Sequence, residues 1–97
     1  MNKLITVAVI DSGIYPHIDF KNRIVAFKDF VNGRKNAYDD CGHGTHVSGI
    51  IAGSGYASHG RIKGICPAAN LAGIKVLDRL GNGRIENVLD AAGWIIS

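Results

Sequence analysis

The sequence contains little proline and little cysteine, two of each in 97 residues. Two cysteines cannot build the disulfide framework of a small secreted protein, so we expect Cys41 and Cys66 to be free thiols. No apolar stretch approaches the ~18 residues of a transmembrane helix. No basic run or nucleic-acid-binding motif accompanies the net charge of +3. These absences argue against a disulfide scaffold, a membrane-spanning protein and a nucleic-acid-binding protein.

The sequence does have an apolar fraction of 46%, a charged fraction of 20% and 13 glycines. This balance excludes disorder over most of the length, and a chain of 97 residues can form one small domain with one modest core. An excess of glycine without proline is typical of tight turns and close backbone approaches. The first residues form a short apolar run without a small-residue cleavage site, which favours a strand over a signal peptide.

The apolar pattern predicts three strands and two helices in an α/β order. The strands are expected at residues 4–10, 23–31 and 70–77, and the helices at 43–52 and 85–96. The first strand is apolar at nearly every position, which predicts a strand of a parallel sheet that is covered on both faces. Such strands are joined by right-handed crossovers, and ligands bind beyond their carboxyl ends.

Two side chains suited to proton transfer lie at ends of these elements. Asp11 follows the first strand, and His43 opens the first long helix between two glycines, 32 residues later. A carboxylate that accepts a hydrogen bond from one ring nitrogen leaves the other nitrogen free to take a proton. We therefore expect Asp11 and His43 to lie together at the carboxyl edge of the sheet.

The segments VIDSG at 9–13 and GHGTHVSG at 42–49 resemble the aspartate and histidine signatures of the subtilisin-like serine proteases, the subtilase family. The resemblance runs from about residue 4 to the end. It implies a three-layer α/β fold with a partial, truncated parallel sheet. Residues 1–97 would form the N-terminal portion of a subtilisin-like peptidase domain.

The resemblance also implies roles for individual residues. Asp11 would orient and support the imidazole of His43, which would act as general base and then as general acid. His46 would be structural. The substrate would pair with an extended segment and contact apolar side chains beside it, through Gly81, Asn82, Gly83, Leu77 and Ile85.

The sequence departs from the family pattern in its serines. A Gly-Thr-Ser-Met-Ala segment with the nucleophile is absent, and so is the later oxyanion asparagine; Ser12 is interpreted as a turn residue. We therefore expect an inactive fragment of a serine endopeptidase whose partners are peptide or protein substrates. We also expect copies of it to associate through the uncovered sheet edge.

Two other classes of function remain open on the residues. The chain could be a non-catalytic subtilase-like module that binds a peptide or a partner, or a metal-binding domain that uses His43, His46 and the cysteines. The subtilase interpretation implies no metal or cofactor in this chain, although Asp19 matches a structural calcium ligand of some subtilases and leaves calcium open for a full-length parent. Cys41 is expected to be a small buried side chain.

Overall fold

The computed structural model of the protein describes residues 5–96. Within this range lie three strands, two α-helices and two short 3-10 turns: β1 (Thr6–Asp11), β2 (Ile24–Asp29), α1 (His43–Ala52), β3 (Asn70–Lys75) and α2 (Ile85–Ile96), with the 3-10 turns at Lys21–Arg23 and Tyr56–Ser58. Both helices have their predicted bounds. β2 and β3 lie within their predicted ranges, and β1 extends one residue beyond its predicted end at residue 10. Residue 4, the predicted start of the first strand, is outside the described residues.

The strands form one parallel sheet with the order β1-β3-β2. The predicted parallel sheet and α/β class are therefore confirmed. In the register of this sheet, Asp11 pairs with Lys75, and Asp29 pairs with Lys75 from the other side. Three ionisable residues thus end the three strands side by side at the carboxyl edge.

The apolar core lies on both faces of the central strand, β3. One cluster, on the side of α1, comprises Val9, Ile14, Phe20, Ala52, Ala69 and Leu71. The second comprises Ala72, Ile74, Val76 and Ala91 of α2. Burial on both faces explains why the 70–77 segment is apolar at almost every position.

The prediction that the first strand is covered on both faces is wrong. Burial alternates along β1, and Ala8 and Ile10 are exposed, Ile10 by 38%. The strand lies at the edge of the described sheet. The described elements leave the face that carries Ala8 and Ile10 exposed. An apolar residue at nearly every position therefore does not indicate burial on both faces of this strand.

The first helix packs on the sheet through its small residues. Gly44, Ser48 and Ala52 are its buried residues, one turn apart, whereas Ile50 is 53% exposed. This stripe of small side chains allows the backbone of α1 to approach the end of β1 closely. Within residues 5–96, no helix combines the length and apolarity needed to cross a bilayer.

Candidate active site

The structure brings Asp11 and His43 into direct contact. Nδ1 of His43 lies 2.8 Å from Oδ1 and 2.9 Å from Oδ2 of Asp11. The Asp11 side chain is only 12% exposed, whereas the imidazole is 63% exposed. An inward carboxylate therefore holds a ring that remains accessible to solvent.

Asp11 is fixed by its place at the end of β1. Its Oδ1 accepts a hydrogen bond from the N–H of Ser12 at 2.7 Å. Its main-chain oxygen accepts from the N–H groups of Val76 and Leu77, which continue the chain after β3. The carboxylate is thus oriented by its own turn and by the neighbouring strand.

Ser12 connects the end of β1 to the start of α1. Its fully buried Oγ donates to Oδ1 of Asp39 at 2.8 Å and accepts from the N–H of Gly44 at 2.9 Å. Because Ser12 follows Asp11 and Gly44 follows His43, this one hydroxyl couples the two segments that carry the Asp11–His43 contact.

Asp39 caps the first turn of α1. Its two carboxylate oxygens accept from the N–H groups of Cys41, Gly42 and Thr45 and from the Thr45 hydroxyl. Burial alone would raise the pKa of Asp39, but these hydrogen bonds, with that from Ser12, outweigh burial and lower the pKa to about 2. A carboxylate at a helix N-terminus also complements the helix dipole.

The two segments approach each other so closely that glycine is required on both sides. A Cβ at Gly44 would lie 2.2 Å from the main-chain oxygen of Gly13. A Cβ at Gly13, where φ is +119°, would lie 2.2 Å from the main-chain oxygen of Tyr38. Gly44 therefore allows the start of α1 to approach the turn after Asp11, and Gly13 allows that turn to approach the loop at Tyr38.

The contact determines the protonation behaviour of His43. The hydrogen bond that His43 donates to Asp11 and the negative charge of Asp11 raise the pKa of His43 above its usual value. Because the carboxylate can only accept, Nδ1 carries the proton and Nε2 of the neutral ring keeps its lone pair. This arrangement can take a proton at Nε2 and stabilise the resulting imidazolium.

Sequence reasoning missed three residues that build this site. The sequence pattern indicates only a turn residue at Ser12, and it predicts no contribution of Asp39 or Lys75 to the contact between Asp11 and His43. The available signal for Lys75 was a lysine within the apolar segment NLAGIKVL at 70–77. Its side chain is fully buried and donates to the main-chain oxygen of Ser12 at 2.7 Å.

The predicted substrate segment has a different conformation from the one expected. Leu77 and Gly83 form an antiparallel bridge. The main-chain N–H of Asp78 donates to the oxygen of Asn82, and Gly81 has φ of +82°. Residues 78–82 therefore form a closed turn rather than an extended strand.

This turn is held from within and exposed outside. The Asp78 carboxylate accepts from the N–H groups of Leu80 and Asn82, and these hydrogen bonds lower the pKa of Asp78. Gly81, Asn82, Gly83 and Ile85 are exposed, and Leu77 is half-buried. The structure thus places Leu77 beside Gly83, with Ile85 at the first turn of α2.

The residues of the metal alternative do not converge. Among residues 5–96, no three His, Cys, Asp or Glu side chains are grouped so that they could hold a metal ion. His46 is exposed, one turn after His43. The thiols of Cys41 and Cys66 are free, but Cys41 is exposed, so the expectation that it is buried is wrong.

Asp19 and the main-chain oxygens near it accept hydrogen bonds from within the chain. Oδ1 of Asp19 accepts the N–H of Ala57 at 2.8 Å. The main-chain oxygens nearby are taken by Arg23, whose guanidinium donates to Asp19, Ala52 and Ala69. The guanidinium of Arg23 therefore places a positive charge next to Asp19 in the described chain.

The sequence of the chain is similar to that of known proteins. Residues 2–97 match the model of the subtilase family. The chain is 48% identical over 94 residues to the serine protease AprX of Bacillus subtilis (strain 168), covering 97% of this chain and 21% of that protein. It is 38% identical over 91 residues to a thermostable alkaline protease of Halalkalibacterium halodurans, covering 94% of this chain and 24% of that protein.

A solved structure is similar as well. The fold matches the crystal structure of a cold-adapted subtilisin-like serine proteinase with a TM-score of 0.81 and 36% identity. The match covers 94% of this chain and 31% of that one. The chain thus spans between 21% and 31% of the length of these three relatives.

Proposed function

Because this chain belongs to the subtilase family, we propose that it supplies the aspartate and the histidine of the Asp-His-Ser triad of a serine endopeptidase. The contact of His43 Nδ1 with both carboxylate oxygens of Asp11, at 2.8 and 2.9 Å, carries this proposal. The family is one of proteases, so the substrates are peptides or proteins.

In the proposed reaction His43 moves a proton in each half. Nε2 takes the proton of the nucleophilic hydroxyl as the oxygen attacks the peptide carbonyl, and then gives it to the leaving amine. Asp11 stays ionised, keeps the proton on Nδ1 and stabilises the imidazolium. Since only the neutral ring can accept a proton, cleavage should increase as the pH rises through the raised pKa of His43.

The nucleophile of this triad is not among the serines near the site. Ser12 has its Oγ committed to Asp39 and Gly44, and Ser48 is fully buried. The 97-residue sequence has no Gly-Thr-Ser-Met-Ala segment. We propose that these 97 residues do not hydrolyse peptides unless another segment supplies the serine.

We propose that the peptide substrate lies along residues 77–85. The exposure of Gly81, Asn82, Gly83 and Ile85 supports this placement, as does the half-buried Leu77 beside them. Since residues 78–82 form a closed turn, the substrate would lie against the turn rather than pair with an extended strand.

The proposed triad is tested by joining residues 1–97 to the serine-bearing remainder of a protease such as its 48%-identical relative. Casein cleavage is measured for this protein and for its His43→Ala and His46→Ala variants. His43→Ala should abolish cleavage. Loss of the catalytic histidine in subtilisin lowers kcat by about 10⁶-fold, and a loss of similar size is expected here. His46→Ala is the matched control, since His46 is exposed on the same helix and contributes nothing to the ion pair.

Cleavage at the parental rate by the His43→Ala variant would refute the assignment. Hydrolysis of casein by residues 1–97 alone would refute the proposal that they lack the nucleophile. Binding of peptides by a natural form that never cleaves them would favour the alternative, a non-catalytic subtilase-like module.

We further propose that copies of the chain associate through its sheet. β1 and β2 are the edge strands of the described sheet, and Val25 on β2 is 54% exposed. Unpaired edges that carry apolar side chains favour pairing with another strand. Sedimentation should show an oligomer that Val25→Lys weakens, and a monomer at high concentration would contradict this proposal.

A further inference from the structure

Lys75 is a fully buried cation at the carboxyl end of the central strand. It is the last residue of β3 and lies in register between Asp11 of β1 and Asp29 of β2. The aromatic ring of Tyr38 lies 5.2 Å from its Nζ. Burying an ammonium is costly unless all its donors find acceptors, so the acceptors of Lys75 indicate what it does.

The three donors of the ammonium are satisfied by three different segments. Nζ lies 2.7 Å from the main-chain oxygen of Ser12, 2.7 Å from Oδ1 of Asp40 and 2.7 Å from the main-chain oxygen of Leu77. Ser12 belongs to the turn after Asp11, and Asp40 belongs to the loop before His43. A lysine has three donors, so each segment takes one of them.

We propose, on the premise of the proposed function, that Lys75 is a positioning residue that holds the turn after Asp11 and the loop before His43 in register for proton transfer. Its ammonium makes its hydrogen bonds to Ser12, Asp40 and Leu77 and not to the imidazole, so it acts through these three residues. Productive geometry at such a site tolerates about 0.5 Å, and a misplacement of about 1 Å can cost 10²-fold in rate.

The direction of a pKa change separates positioning from simple charge. If Lys75 positions the pair, its removal loosens the contact with Asp11, and the pKa of His43 falls towards its usual value of about 6.5. If Lys75 acts only as a nearby positive charge, its removal raises the pKa of His43. If Lys75 serves only overall stability, the folded protein keeps the parental pKa.

The test is an NMR titration of the four histidine rings in the 97-residue chain, with the parent compared with Lys75→Met. Lys28→Met is the matched control, because Lys28 is exposed on β2 and its Nζ lies over the ring of Phe30. We expect a lowered pKa of His43 in Lys75→Met and the parental pKa in Lys28→Met. An unchanged or raised pKa in folded Lys75→Met would overturn the proposal.

A second variant applies if Lys75→Met does not fold. Asp40→Ala removes one acceptor of Lys75 at a side chain that is 38% exposed, where water can accept from the freed donor. The titration is then run in about 1 M NaCl, where screening over ~3 Å suppresses the direct effect of the lost charge. A fall in the pKa of His43 that persists in salt supports the proposal, and an unchanged pKa overturns it.

Apart from Asp40 in the Asp40→Ala variant, the other charges near the two groups are unchanged. They are Asp78 beside Lys75, and Asp11 and Asp39 beside His43. The titration requires no peptide cleavage. Failure of the positioning role and failure of the protease function are therefore seen in separate measurements.

Discussion

Two glycines of the same helix should respond in opposite ways to alanine. At Gly44 an added Cβ would lie 2.2 Å from the main-chain oxygen of Gly13, and 3.1 and 3.2 Å from its nitrogen and carbonyl carbon. At Gly49 an added Cβ has no atom outside its own helix turn within 4 Å. Gly49→Ala is therefore a matched control for Gly44→Ala within α1.

The magnitudes follow from these distances. Alanine in place of glycine within a helix gains about 0.5–1 kcal/mol at either position. At Gly44 the chain must also separate by about 1 Å, and overpacking of this kind costs about 1–3 kcal/mol. The helix-propensity gain cancels in the comparison, so Gly44→Ala should be less stable than Gly49→Ala by about 1–3 kcal/mol.

Thermal unfolding followed by circular dichroism measures the difference. For a domain of this size each kcal/mol corresponds to about 4–8 °C in Tm, so the two variants should unfold on either side of the parent. The titration of His43 should also change in Gly44→Ala, because the displaced helix carries His43 away from Asp11. Equal stabilisation by both substitutions would refute the close contact between Gly13 and Gly44.

Three further substitutions test the supports of the site. Asp39→Ala should lower the free energy of unfolding, measured in urea, by about 1–2 kcal/mol. Because the pKa of Asp39 is lowered, the parent should lose stability as the pH falls from 3.8 to about 2. The same dependence of stability on pH in Asp39→Ala would contradict the role of Asp39 as a helix cap. Arg23→Met should lower stability by about 1–3 kcal/mol in urea, with or without calcium, because three carbonyls lose a donor. Asp11→Asn should lower the pKa of His43 in an NMR titration, whereas Asp90→Asn, on exposed α2, should not.

The secondary structure could be predicted from the sequence because its signals are local. The apolar spacing of α2 and the apolar runs of β1 and β3 depend on residues close in the chain. What covers each face depends on the order β1-β3-β2, which no local pattern encodes. Burial on both faces accordingly holds for β3 and not for β1, although both segments are apolar.

The aspartate and the histidine were predictable because each lies within a short signature, and their contact follows from the topology of the sheet. The residues that support them are spread along the chain. Ser12, Asp39 and Lys75 come together only when the strand ends and the N-terminus of α1 meet. Serine, aspartate and lysine are common on surfaces, so their types alone do not reveal buried hydrogen bonds.

The conformation of residues 78–82 and the exposure of Cys41 likewise depend on contacts that the residue types alone do not reveal. Asp78 closes the turn through the N–H groups of Leu80 and Asn82, so glycines expected to be extended lie in or beside a turn. Cys41 lies exposed in the loop that precedes α1, where its N–H donates to Asp39.

The neutral tautomer of His43 tests the central claim most directly. Long-range ¹H–¹⁵N spectra recorded above its pKa should show the proton on Nδ1, donated to Asp11. His17 provides an internal comparison, because its Nδ1 accepts the N–H of Asp19 at 3.0 Å and its proton should lie on Nε2. Opposite tautomers in the two rings are the predicted result, whereas a proton on Nε2 of His43 would contradict the account.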